Sequence, residues 1–143
     1  MMQKSIGIFI ICLLVLACNS KTRNIEVVSN ELVMYEPSEM TILMRRIHEV
    51  NKVVKDQIIK RDSLLIFPEE FTEIFSATLT DSTERDDKFI ILARSFIDLQ
   101  KMAFSSYSDS TVYNFNQSIN NCVECHRTRC PGPIPKIKKL LIN

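Results

Sequence analysis

Residues 109–130 read DSTVYNFNQSINNCVECHRTRC, and their periodicity decides the fold. Val112, Phe115, Ile119, Cys122, Val123 and His126 recur at three- and four-residue spacing, which places them on one side of an α-helix. That helix starts at about Asp109 and cannot pass Pro131, Pro133 and Pro135, since proline supplies no backbone N–H and clashes with the preceding turn.

The same spacing recurs upstream. Thr83 with Glu84, Asp86 and Asp87 opens a helix whose core side is Phe89, Leu92, Phe96, Leu99 and Ala103, and Ser105–Ser110 interrupts it. Before it, Phe67-Pro68-Glu69-Glu70 is a helix start, with Pro68 in the first turn and two acids at the positive end of the helix dipole. Phe71, Ile74 and Phe75 form its apolar stripe, and Thr78–Ser82 breaks it. The longest pattern begins at Ser38, a capping residue, and carries Met40, Leu43, Met44, Ile47, Val54 and Ile58 on one side. Arg45, Arg46, Glu49, Lys52 and Lys55 read as its solvated face. Nothing alternates with period two for long enough to make a sheet. The expectation is an all-α fold, four helices in an antiparallel up-down-up-down bundle.

Composition agrees. The 143 residues are 45% hydrophobic and 24% charged, with two Gly and no Trp, which suits one small helical body. Formal charge is +1 from 18 basic and 17 acidic side chains, so the excess of positive charge that drives binding to nucleic-acid phosphates is missing. No Ser/His/Asp group, paired-carboxylate cleft or phosphate-binding glycine loop is legible, and the chain does not read as an enzyme.

The N-terminus reads as an address. Lys4 precedes the apolar run Ile6–Leu16, too short to span a bilayer comfortably. The run ends Val15-Leu16-Ala17-Cys18, which resembles the bacterial lipoprotein box, where the cysteine receives a diacylglycerol and becomes the first mature residue. Residues 1–17 are then a removed signal, 18–36 a polar linker, 37–130 the bundle and 131–143 a Pro-rich basic tail. Loss of Lys4 leaves 17 basic and 17 acidic side chains, so acyl chains rather than charge would hold the protein on the membrane.

Cys122-Val123-Glu124-Cys125-His126 is a C-x-x-C-H, the attachment signature for c-type haem. On a helix these three functional positions fall within about one turn, so two thiols can add across the haem vinyl groups while the adjacent imidazole meets the iron. The bond is made outside the cytoplasm, and the leader supplies the export. Two other uses of the pair are a redox dithiol, which expects a βαβ context, and half of a zinc site, for which only Cys130 and distant His48 remain as ligands.

A late C-x-x-C-H on the last helix of a four-helix frame is similar to the class II cytochromes c, the cytochrome c prime and cytochrome c-556 group, over about Ser38–Arg129. The resemblance implies one covalently bound haem c per chain and His126 as proximal iron ligand. It implies single-electron transfer on the periplasmic side of a bacterial membrane, with a periplasmic or membrane-bound redox partner. Several relatives in that group pair, which leaves a homodimer open. In the c-556 type a methionine early in the first helix is the second axial ligand, and Leu43-Met44-Arg45 looks like the Met-Lys pair found there; Met44 is the first choice, with Met40 and His48 as alternatives. A methionine at a core position is otherwise a flexible gap-filler. With that side of the iron left open, as in cytochrome c prime, the protein would instead bind NO or CO.

Ile47, Phe75, Phe89, Leu92, Ile119 and Val123 are the expected apolar walls of the haem site, and Arg127 or Arg129 the residue meeting a haem propionate. Cys130 is left over. It reads as a buried unpaired thiol, with an intermolecular crosslink as the alternative. For the tail, packing over the bundle end is expected ahead of docking on an acidic partner.

Overall fold

A computed structural model describes residues 36–105 and 107–143. The leader, Cys18 and all but the last residue of the linker lie outside the described residues. Among the described residues every regular element is helical: α1 (Glu39–Lys60), a 3-10 segment (Glu69–Phe75), a single 3-10 turn (Ser82–Glu84), α2 (Asp87–Ala103), α3 (Thr111–Thr128) and the short α4 (Ile134–Lys138). Among the described residues no helix is long and apolar enough to cross a membrane.

Ser38 caps α1, its hydroxyl accepting the Thr41 N–H at 3.2 Å. The helix stops where Arg61 enters the left-handed region at φ 58°, and the turn returns N–H groups to the Ile58 and Gln57 carbonyls. Met40, Leu43, Ile47, Val50, Val54 and Ile58 are buried along one side, as the spacing requires, whereas Met44 sits on the flank, half-buried against the core.

The second segment is a 3-10 helix rather than the α-helix expected. Seven residues after a proline are too few to sustain an α-helix by themselves. Three residues per turn eclipse positions i and i+3, which brings Phe71 and Ile74 onto one face, and both are buried. The third helix starts four residues later than expected. Asp86 is its cap, accepting the Phe89 N–H at 2.7 Å, and that bond, with Arg129 behind it, holds the Asp86 carboxyl below the ordinary carboxylate range. The α2 face turned inward is Phe89, Ala93, Phe96, Ile97, Gln100 and Ala103, which leaves the expected Leu92 and Leu99 half-buried.

Phe71 is the hub of the core, its ring centroid 5.7 Å from Phe67, 6.1 Å from Phe104 and 6.2 Å from Phe96. One polar knot crosses the interior. Gln100 of α2 donates to Asn51 of α1 and to Ser118 of α3, both at 3.2 Å, and all three are buried. Because each amide has a fixed set of partners, the knot sets the register of three helices in a way that apolar contacts alone do not.

Contacts at the helix ends fix what lies near what. Met40 at the start of α1 donates its N–H to the Thr78 carbonyl at 3.1 Å. Arg85 donates to the carbonyls of Ile74, Phe75 and Ala77, closing the exit of the 3-10 segment. The ring of Phe89 takes two guanidiniums, Arg85 at 5.2 Å and Arg129 at 5.7 Å. The start of α1, the start of α2 and the end of α3 therefore meet at one end of the molecule. At the other, Tyr107 donates to the Ile58 carbonyl at 2.7 Å.

Candidate functional site

The last turns of α3 carry Cys122, Cys125 and His126, which lie within five residues on one helix and are all half-buried. Both cysteines are free thiols. Burial pushes the Cys122 thiol up to about 12, with the neighbouring Cys125 adding to the effect. Burial also raises Cys125, against the opposing charge of Arg129. Redox dithiols work through a thiol whose pKa is lowered, and this pair is shifted the other way.

A chemical test follows from Cys122. Its thiol is pushed up to about 12 by burial; since thiolate is the nucleophile, alkylation of the folded haem-free chain near pH 8 is expected to run at least about ten-fold slower at Cys122 than in urea. Peptide mapping after timed iodoacetamide treatment reads this directly, and equal rates in both conditions would refute the burial.

His126 Nδ1 lies 2.8 Å from the carbonyl oxygen of Cys130. A carbonyl can accept but has no proton to give, so Nδ1 carries the hydrogen and donates it. The neutral ring then presents Nε2 as a bare lone pair, the form in which imidazole binds a metal. Spacing alone could not reveal this partner; the one sequence signal is Pro131, which stops the helix and turns the chain back over its last turn.

Among the described residues no group of three or more His, Cys, Asp or Glu is placed to hold a metal ion, so the pair gains no further zinc ligands from Cys130 or His48. Met40 is buried in the core. His48 is half-buried, its Nδ1 3.2 Å from the Glu49 carboxylate. Met40 and Met44 occupy the first turns of α1, at the end of the molecule where α3 finishes. Of the expected apolar walls, Ile47, Phe89, Ile119 and Val123 are buried, and Phe75 and Leu92 half-buried.

One expectation changes. Cys130 is exposed rather than buried, because the turn needs its backbone and leaves the side chain outside. Arg127 is engaged with Glu124 at 3.0 Å on the surface, while Arg129 joins α3 to α2 through the Glu84 carbonyl and the Asp86 carboxylate. Arg129 nevertheless keeps one buried donor, Nε, with no partner among the described residues.

An open groove of about 440 Å³ between α2 and α3 is lined by Leu99, Gln117, Asn120, Asn121, Val123, Glu124 and Arg127. Comparison with family models, with curated proteins and with solved structures finds no match to this chain.

Proposed function

We propose that the chain is a c-type cytochrome of the class II kind, exported and lipid-anchored through Cys18, that carries one haem and passes single electrons on the periplasmic side of a bacterial membrane. The observation that carries the reading is the His126–Cys130 hydrogen bond, which frees Nε2 one residue after a pair of unpaired thiols. A haem supplies a one-electron iron couple when bound. The chain's own part would be to hold it through Cys122 and Cys125, with Nε2 of His126 and the Met44 thioether as iron ligands, and to exclude water with Ile47, Phe89, Ile119 and Val123. The unpartnered Nε of Arg129 is a donor suited to a propionate.

On this reading the frame is an up-down-up-down bundle of four legs, the 3-10 segment serving as the second. The contacts of Met40 with Thr78, Arg85 with the end of that segment, and Tyr107 with Ile58 support it. Exposed Lys136, Lys138 and Lys139 give the molecule a basic edge suited to an acidic redox partner.

The test is the mature protein from an exporting host competent for haem attachment. A band that stains for haem after denaturing electrophoresis, with a mass of peptide plus lipid plus one haem, is the expected result. A colourless band at the mass of peptide plus lipid overturns the proposal.

A further inference from the structure

The tail of the chain is fastened at three points. At its start, the Arg129 and Cys130 N–H groups return to the His126 carbonyl, and the Cys130 carbonyl receives the His126 ring. Pro131 and Pro133 lead into α4, and Ile137 within it and Leu140 just after it are buried. Further along the tail, Lys55 Nζ of α1 donates to the Lys139 and Leu141 carbonyls at 2.8 and 2.9 Å. At its last residues, the Asn116 amide of α3 exchanges two hydrogen bonds with the backbone of Ile142, at 2.8 and 2.9 Å. An amide that gives to the carbonyl and takes from the N–H of one residue fixes both the position and the direction of that residue's backbone. Ten residues of helix separate Asn116 from His126, about 15 Å along the axis.

We infer that residues 130–142 are a positioning strap for His126: anchored at Lys55 and Asn116, the strap holds the Cys130 carbonyl against Nδ1 and so keeps the Nε2 lone pair free and the ring in one orientation. The hydrogen bond at one ring nitrogen sets the state of the other. The Cys130 N–H closes a last i→i+4 bond onto the His126 carbonyl, but Arg129 has left helical backbone at φ −126°, so a regular helix alone does not place the Cys130 carbonyl. The strap does. Lys55 and Asn116 are positioning residues, since neither touches the ring. The consequence for an iron ligand rests on the function proposed above; the consequence for the ring does not.

The experiment uses the full mature chain, haem-free, with ¹⁵N-labelled histidine, about two pH units above the ordinary histidine value near 6.5. Two-bond ¹⁵N–¹H correlations are expected to show His126 as the Nδ1–H form. In Lys55→Met/Asn116→Ala the Nδ1–H form is expected to become the minority, with helical circular dichroism kept, and Lys55→Arg alone is expected to retain it. If the double variant loses its helices, the single Asn116→Ala takes its place, with the same shift in the same direction expected. A wild-type ring protonated on Nε2, or a folded variant with an unchanged ring, overturns the strap. In the haem-loaded chain, loss of the Nδ1 bond makes the imidazole a weaker donor, so the double variant's reduction potential is expected to rise; an unchanged potential would also count against the inference. A chain that takes up no haem defeats the proposed function and leaves the tautomer result to decide the strap by itself.

Discussion

Met44→Ala is expected to convert a six-coordinate, low-spin haem protein into a five-coordinate, high-spin one. The reduced wild type should show a narrow α band and resist CO; the variant should show a broad high-spin spectrum and bind CO readily. Met44 is singled out from Met40 and His48 by its surroundings. Met40 is among the core side chains, and His48 has its ring beside the Glu49 carboxylate, whereas Met44 is half-buried on the flank of α1. It also sits near the end of α1 that meets the end of α3. Met40→Ala and His48→Ala serve as controls and should leave the spectrum low-spin. A half-buried methionine truncated to alanine costs the fold about 2 kcal/mol or less, so the variant remains folded and its spectrum interpretable. A wild-type protein already high-spin, or a Met44→Ala spectrum identical to wild type, would remove Met44 as ligand. The high-spin wild type would turn the reading toward gas binding.

Phe71→Ala should be the most damaging single truncation for stability, at about 3–5 kcal/mol. The side chain is fully buried and its ring meets Phe67, Phe96 and Phe104. It also belongs to a 3-10 segment of seven residues, whose order depends on packing rather than on its own propensity. Losing Phe71 therefore empties a cavity and releases the segment that joins α1 to α2. Ile66→Ala, at a side chain 90% exposed, is the matched control and should change stability by about 0.5 kcal/mol or less. Urea denaturation followed by circular dichroism gives both values. A Phe71→Ala loss below about 1 kcal/mol would mean that the aromatic hub is not where the core is held together.

The α1 stripe shows how much was legible. Met40, Leu43, Ile47, Val54 and Ile58 follow from spacing, because a helix of 3.6 residues per turn leaves few ways to bury them together. Val50 and Asn51, buried beside them, were not among the residues that the spacing singled out. On α2 the inward face was placed slightly off: Leu92 and Leu99 were expected there, and Ala93 and Ile97 take the places. Both sets are apolar at helical spacing, so only the partner surface chooses between them. Gln100 is the clearest gap. A glutamine in sequence reads as surface, and its burial at 0% exposure follows only from the positions of Asn51 and Ser118 on two other helices.

Local chemistry determined the helices, their caps at Ser38 and the proline stop after Cys130, and the C-x-x-C-H with its histidine next to the second thiol, because each depends on neighbours within about one turn. The tertiary structure decided that Glu69–Phe75 is a 3-10 segment, that Arg129 ties α3 to the start of α2, and that Lys55 and Asn116 hold the backbone of the tail. Those depend on groups 26 to 86 residues apart, whose approach is set by how all the faces pack at once, and no short window of sequence contains that information.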